Sequence, residues 1–268
     1  MYLVERDYLV RRNEELFIRI SEEQFNRLSA AEKEELLYSL REFIISQYFY
    51  LNQFPAFLLS EREILLAVCY NIWEKDQEEI DNIKHVLLKS EHIKNLDFIL
   101  ELIHCDDGSL ALIVADDTIT LRSDFWIAVL TRWYNSPMES KPEPADYRTI
   151  YDPVPENLKN EPEFNHKLLS MIPGFYHALS DTLKNNLDIV AIALNADGMM
   201  LAQMPETIRE NPDLAYIAIC QNNKAVEFIS DNLTYDVQFI KKTIDANPDV
   251  LAYCIPRMRY LYNNPTAT

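Results

Sequence analysis

A pattern that recurs at every twenty-fifth position in the C-terminal part of the chain constrains the fold more than any other sequence feature. It consists of four helix starts, each preceded by a residue that can cap a helix. The starts are Pro162, Leu187, Pro212 and Val237, and the residues before them are Glu161, Asn186, Asn211 and Asp236. At Asn211-Pro212 the Asn can accept from the first turn, and Pro fits the first helical position, where its missing N–H costs nothing. The constant spacing predicts a repeat.

Turn and core positions keep the same register within each unit. Residues suited to a turn stand eleven positions after each helix start, and apolar residues stand twenty-one positions after it. The turn residues are Pro173, Gly198, Asn223 and Pro248, and the apolar residues are Leu183, Ile208, Leu233 and Met258. Each unit is therefore predicted to be a helix, a turn and a second short helix. Because neither helix can bury its apolar face alone, neighbouring units must stack as an α-solenoid.

Weaker copies of the pattern precede it. Residues 95–108 are similar to residues 186–198, and a further unit begins at Ser123. Two capping boxes, Ser29 with Glu32 and Ser60 with Glu63, each predict a helix start nearer the N-terminus. Apolar residues follow both boxes at steps of three and four. We therefore predict an all-α protein, with helical-hairpin repeats stacked as an α-solenoid and an N-terminal helical cap.

A proline-rich stretch divides the chain. Six of the thirteen prolines fall between residues 136 and 162, and the apolar periodicity stops there. Proline lacks the donor that a helix needs, so the stretch is predicted to be an extended linker or strap. The predicted domains are an N-terminal helical domain with divergent repeats at 1–135, the strap at 136–160 and a C-terminal helical repeat domain at 161–268.

The repeat residues resemble those of a known family. A polar cap, an Asp, an apolar helix, an Asp/Asn-Gly turn and an Ala-containing second helix are typical of the short helical repeat called domain of unknown function 4116. The chain is similar to it over about 161–260 and more weakly over 95–130, and it departs at the turns Pro173-Gly174, Asn222-Asn223 and Asn247-Pro248. The resemblance implies an effector of intracellular bacteria, or a regulator that binds another effector, with no catalytic residues assigned.

Composition excludes several classes of function. There are 25 basic and 43 acidic residues, a net charge of −18, which disfavours nucleic acid and anionic membrane as partners. The three glycines are too far apart for a phosphate-cradling loop, and no zinc-binding sequence or apolar run of membrane-spanning length is present. The four cysteines are scattered in apolar helical contexts, which predicts buried thiols in a reducing cytoplasm. No cofactor or metal is predicted.

Seven residues are candidates for partner binding. Asp106, Asp107, Asp116 and Asp117 are paired acids near a glycine, and Trp126, Trp133 and Tyr134 are an aromatic cluster of the kind that anchors interfaces. The structural alternative makes the acids turn and cap residues and the aromatic residues core. No catalytic residue is predicted.

These observations favour a protein-binding helical-repeat scaffold, either an effector or a regulator or inhibitor. Its charge predicts a protein partner with a basic surface, such as another effector. The densest acid lies in residues 61–135. The expected location is the cytoplasm, or the host cytosol for a translocated effector. The alternative is an enzyme with a carboxylate site between the two halves, in which Asp106 or Asp117 acts as acid, base or metal ligand.

Overall fold

The computed structural model describes residues 9–12, 15–46, 51–70, 72, 75–105, 108–136 and 142–265. By internal contacts the chain divides into two compact units, residues 1–136 and residues 137–268. The predicted helical class is confirmed, since helices make up almost all the regular structure of the described residues. One short β-hairpin is the exception.

The N-terminal unit begins with that hairpin. Strands β1 (Leu9–Arg12) and β2 (Glu15–Ile18) pair antiparallel, with Leu9 opposite Ile18. Eight α-helices follow in the described part of the unit: α1 (Glu22–Arg27), α2 (Ala30–Ser46), α3 (Arg62–Cys69), α4 (Gln77–Lys89), α5 (Leu96–Leu102), α6 (Ser109–Val114), α7 (Asp117–Thr120) and α8 (Ser123–Tyr134). Short 3-10 helices lie at Leu51–Gln53, Leu58–Ser60 and Glu91–Lys94. The hairpin was not predicted, because such short strands do not show a period of two.

The two predicted capping boxes have different outcomes. At the first, the Ser29 backbone N–H and hydroxyl donate to the Glu32 carboxylate over 2.8 and 2.7 Å, and α2 begins at the next residue. At the second, the Ser60 hydroxyl instead donates to the carbonyl of Phe57 over 2.6 Å. Helix α3 begins at Arg62 with Glu61 as a cap that makes no side-chain bond. The predicted helix start is therefore confirmed to within one residue, but the predicted capping box at Ser60 is wrong.

The C-terminal unit is built from three kinds of helix in a fixed order. Four helices of equal length, called here the long helices, are α11 (Pro162–Met171), α13 (Leu187–Ala196), α15 (Pro212–Gln221) and α17 (Val237–Ala246). Each precedes a 3-10 helix: Pro173–Ala178, Gly198–Gln203, Asn223–Phe228 and Pro248–Ala252. A third helix follows: α12 (Asp181–Lys184), α14 (Glu206–Arg209), α16 (Asp231–Tyr235) and α18 (Pro256–Asn263). Each long helix packs on the next.

The predicted starts of the long helices are confirmed, and side chains cap three of them. Asn186 accepts from the N–H of Asp188 over 2.9 Å, and Asn211 accepts from that of Asp213 over 3.0 Å. Asp236 caps α17 by accepting from the N–H of Phe239. Glu161 makes no side-chain cap bond, so at α11 the proline at the first helical position marks the start.

The stretch from 136 to 160 differs from the prediction of an extended linker. Its described residues form two helices, α9 (Pro144–Tyr151) and α10 (Glu156–Lys159). Pro144 occupies the first helical position of α9, and Pro155 is the N-cap of α10, so both prolines begin helices instead of preventing them. The unit boundary falls between residues 136 and 137, at the start of this stretch and not across it.

The repeat register also extends back into this stretch. Helix α10 begins at Glu156, one repeat length before the start of α12 at Asp181. Val154, which lies just before α10, is buried, as are Leu179 and Met204 at the same position of the next two units. The stretch predicted to be a linker therefore contains the end of a preceding repeat unit.

Buried contacts attach α9 to the first long helix. The Tyr151 hydroxyl donates to Asn165 Oδ1 over 3.0 Å, and Asn165 Nδ2 donates to the carbonyls of Lys159 and Glu161 over 2.8 and 2.9 Å. Asn165 is fully buried, so these bonds satisfy a side chain that would otherwise be costly to bury. Burial raises the pKa of the Tyr151 phenol.

Two glycines of the C-terminal unit permit close approach. A Cβ at Gly174 would overlap the Tyr147 ring of α9. A Cβ at Gly198 would overlap the carbonyl oxygen of Ala218 in α15, and the Gly198 N–H donates to Gln221 Oε1 over 2.7 Å. Backbone is the obstacle at Gly198, so glycine is required there, whereas at Gly174 the obstacle is the outer end of the Tyr147 side chain.

None of the four cysteines, all of which lie within the described residues, forms a disulfide. Cys69, Cys105 and Cys254 are buried as predicted, but Cys220 is exposed. It follows the buried Ile219 on α15 and lies on the outward side of that helix.

Candidate functional site

A groove runs across three successive long helices of the C-terminal unit. It encloses about 430 Å³, and its small and apolar lining is Ala191, Ile192 and Ala196 from α13 and Ile217 from α15. His166 and Ser170 contribute from α11. We call this feature the long-helix groove. It is large enough to hold side chains of a docked polypeptide segment.

The groove follows from the pattern of each long helix. Positions three or four apart share a face, so each long helix has an inner side and an outer side. In α13 the inner positions Val190, Ala193 and Leu194 are buried, whereas Ala191 and Ile192 on the other side are half-buried. Because Ala191 and Ala196 are small, the outer side of α13 leaves space between the neighbouring helices.

Three carboxylates lie three or four residues before groove residues of the same long helices. Glu163, Asp188 and Asp213 lie at the second position of three successive long helices, and all three are exposed. Lys242 of α17 lies 3.7 Å from the Asp213 carboxylate and 4.3 Å from the centre of the Tyr216 ring. Glu163 and Asp188 therefore add negative charge near the groove, whereas the charge of Asp213 is partly offset by Lys242.

Two of the four predicted acidic residues, Asp116 and Asp117, lie at a helix start. Asp116 is the N-cap of α7: its carboxylate accepts from the backbone N–H of Thr118 over 2.9 Å and from its hydroxyl over 2.6 Å. These bonds lower the pKa of Asp116. Asp117 is the exposed first residue of α7, the position that Asp181 holds in α12 and Asp231 in α16. Asp106 and Asp107 lie outside the described residues.

The predicted aromatic residues lie on α8 at different depths. Trp126 is 3% exposed, and its indole N–H donates to the carbonyl of Thr120 over 2.7 Å. Trp133 is half-buried, and Tyr134 is 40% exposed. Helix α8 therefore places Trp126 in the core of its unit and Tyr134 at the surface, so the three do not form one exposed cluster. Their role in partner binding stays a prediction.

Many acids of residues 61–135 have partners within their unit. Glu79 is buried and accepts from the backbone N–H of Leu51 over 2.6 Å. Asp124 accepts from Arg122 over 3.0 and 2.8 Å, and this contact lowers the pKa of Asp124. The acidic residues of this region thus stabilise local structure in addition to contributing to the net charge.

A second cavity, of about 300 Å³, lies in the N-terminal unit between α2, α3 and the end of α5. Its charged groups neutralise one another. Arg62 lies 2.6 Å from Glu101 and 2.8 Å from Glu63, and Arg41 lies 3.4 Å from Glu63. The cavity is therefore less suited than the long-helix groove to hold a charged partner.

Within the described part of the chain, no three His, Cys, Asp or Glu side chains converge in a way that could hold a metal ion. None of the described helices is long and apolar enough to cross a membrane. The enzyme alternative depended on Asp106 or Asp117, and it stays a prediction.

Sequence reasoning missed the residues of the long-helix groove. The available signal was a pair of isoleucines, Ile192 and Ile217, at one register position of two successive units, where the flanking units have Lys167 and Lys242. This pair is recognised only after the repeat register and the outer side of each helix are both known.

Comparisons with protein-family models, with curated proteins and with solved structures find no match. The resemblance to the domain of unknown function 4116 repeat accordingly stays a prediction.

Proposed function

We propose that the protein is a protein-binding helical-repeat scaffold, in which the repeat units of residues 137–268 stack as an α-solenoid. The recurrence of long helix, 3-10 helix and short helix supports this arrangement, as does the packing of each long helix on the next. Solenoids use the surface formed by one helix from each unit to hold a partner chain.

The observation that carries the proposal is the long-helix groove. It crosses three units, so a partner segment in it would contact several units at once. Its half-buried Ile192 and Ile217 offer apolar area that a partner can cover, and apolar burial is the main source of affinity in such contacts.

The partner proposed is a protein with a basic surface. Exposed Glu163, Asp188 and Asp213 lie at equivalent positions, each three or four residues before a groove residue of the same helix. Opposite charge along such a row increases the rate of association and selects the partner. The proposed role is that of a regulator or inhibitor, which acts by binding this partner. The proposed partners include effectors.

The first test is affinity capture with groove variants. The tagged chain and its Ile192→Glu and Ile217→Glu variants are used to capture proteins from the lysate of the source and from a host-cell lysate. Leu187→Glu is the matched control, because Leu187 is 53% exposed on the same helix as Ile192 but does not line the groove. Helical circular dichroism checks that every variant folds.

We expect one stoichiometric basic partner that both groove variants lose and that the Leu187→Glu control retains. Raising the salt concentration should weaken its capture, because exposed charges are screened. Equal capture by the groove variants and the native chain would contradict the location of the site. A partner whose capture is independent of salt would contradict the electrostatic part.

A further inference from the structure

Two cations meet at one backbone carbonyl in the C-terminal unit. Arg148 Nε of α9 donates to the carbonyl oxygen of His177 over 3.2 Å, and Lys184 Nζ of α12 donates to the same oxygen over 2.9 Å. Sharing one acceptor holds the two positive charges close together. The His177 imidazole belongs to the same residue as that carbonyl. Arg148 is exposed, and Lys184 and His177 are half-buried, so solvent can reach the cluster.

One cation at this carbonyl has a structural explanation. The oxygen lies at the end of the 3-10 helix Pro173–Ala178, where carbonyls lack helical partners, and a basic side chain commonly satisfies them. The last unit shows this simple case: Arg259, at the position equivalent to Lys184, donates alone to the carbonyl of Ala252 over 3.0 Å. A second cation at His177 is therefore more than the helix end requires.

The cluster also lacks the ion pair that neutralises equivalent cations. Lys159, one repeat length before Lys184, donates to the Asp152 carbonyl and lies 2.8 Å from the Glu156 carboxylate. Arg209, one repeat length after Lys184, pairs with Glu206. Among the described residues, no carboxylate lies within ion-pairing distance of Arg148 or Lys184.

The pKa values of His177 and Lys184 respond to the neighbouring cations. Burial and then the positive charges of Lys184 and Arg148 lower the pKa of His177, while a hydrogen bond with Gln203 acts in the opposite direction. Burial and then Arg148 lower the pKa of Lys184, against a smaller effect of Asp181. An anion bound between two cations held this close would offset their mutual repulsion.

We propose that Arg148, Lys184 and His177 form a binding site for the phosphate group of a small molecule, either free phosphate or a phosphate monoester. The Nη groups of Arg148 and the remaining ammonium protons of Lys184 supply donors for several oxygens. A dianion matches two cations, and the planar guanidinium suits phosphate geometry. The site shares no residue with the long-helix groove, so its failure would leave the protein-binding proposal unaffected.

The test is a titration of the full chain with inorganic phosphate, in which NMR records the imidazole proton resonances at each step. Working at about pH 7.5 keeps phosphate monoesters mostly doubly charged, since their second pKa is near 6. The His177→Gln variant assigns the His177 resonance. O-phosphoserine is titrated in parallel to distinguish a monoester from free phosphate, and acetate at equal ionic strength tests a carboxylate.

We expect saturable shifts of the His177 resonance and a rise of the His177 pKa when phosphate is bound. Arg148→Gln and Lys184→Gln should each weaken binding by about tenfold or more, because each removes a charge-assisted bond. Arg259→Gln is the matched control and should bind as the native chain does. The tighter of phosphate and phosphoserine identifies the source.

Three results would overturn the site. They are the absence of a saturable shift, equal phosphate binding by the folded Arg148→Gln variant, and acetate binding as tight as phosphate. Circular dichroism of each variant separates lost binding from lost folding. Arg148→Lys keeps the charge and should retain part of the affinity, which a merely unfolded variant would not.

Discussion

Substituting Gly198 by Ala tests the packing between neighbouring units of residues 137–268. The new methyl group would overlap the carbonyl oxygen of Ala218, a backbone atom that cannot rotate away. The 3-10 helix Gly198–Gln203 and α15 would have to separate, although Leu201 of that 3-10 helix is fully buried. The Gly198 N–H would also lose its 2.7 Å bond to Gln221.

The expected cost follows from these contacts. Overpacking costs about 1–3 kcal/mol, and the upper end applies because the obstacle is backbone. Weakening the bond of a buried N–H adds about 1 kcal/mol. Ala has less conformational freedom than Gly in the unfolded chain, which stabilises the folded state by about 0.4–1 kcal/mol. The sum is about 3 kcal/mol, equivalent to a fall in Tm of roughly 12 °C at about 4 °C per kcal/mol for a unit of this size.

Thermal unfolding of the full chain, followed by circular dichroism, measures this fall. Gly108 is the matched control, because a Cβ there finds ordinary contacts at 3.7 Å but the backbone has a left-handed φ of 93°. Gly108→Ala should cost about 1–2 kcal/mol, and Gly108→Asn less, since Asn tolerates that conformation. At residue 198 Asn should be worse than Ala. An unchanged Tm for Gly198→Ala would refute the described contact.

Three further outcomes are expected. Tyr151→Phe should lower the free energy of unfolding by about 1–3 kcal/mol in urea denaturation, because it leaves the buried Asn165 Oδ1 without its donor. Asp236→Ala should cost about 1 kcal/mol in the same assay, whereas Glu161→Ala should be near neutral because it makes no cap bond. Burial raises the pKa of the Tyr151 phenol above its ordinary value of 10. The contribution of the neutral phenol to the free energy of unfolding is therefore full below pH 10 and is lost as the pH rises further. The urea midpoint should thus fall more steeply above pH 10 for the native chain than for Tyr151→Phe, and parallel curves would contradict this.

Local capping chemistry explains why the starts of the long helices could be predicted. Asn211 followed by Pro212 satisfies both requirements of a helix start within two residues, and α15 begins there. The same local reasoning failed at Ser60, because its hydroxyl found a carbonyl partner just before the preceding 3-10 helix. A helix still begins at Arg62, so the competing bond removed the predicted cap contact and not the helix.

The strap was predicted wrongly because proline was interpreted only as a helix breaker. Pro144 occupies the first helical position, where proline favours a helix, and Pro155 is the N-cap of α10. Val154, between them, continues the buried register of Leu179. Extending the repeat spacing backwards from Asp181 to Glu156 would have found α10. The high proline content of this stretch favoured the prediction of a linker, whereas the 25-residue spacing indicates a helix there.

The candidate site could be predicted only in part. Asp116 and Asp117 lie at a helix start, as the structural alternative for these residues proposed. The long-helix groove depends on which side chains of three different helices face outward, which requires the packing of the helices. The cluster at His177 depends on the hydrogen bond from Arg148 of α9 to the His177 carbonyl. The two residues are not neighbours in the sequence, so no local pattern predicts this contact.

Site-specific photocrosslinking tests the proposed function most directly. A photoreactive amino acid is placed at Ile192, at Ile217 or at the control position Leu187, and the tagged chain is irradiated in the lysate of its source. The account predicts one crosslinked basic protein from positions 192 and 217 and little or none from 187. Crosslinks that are as strong from 187 as from the groove positions, or none from the groove while the folded chain still captures a partner, would contradict it.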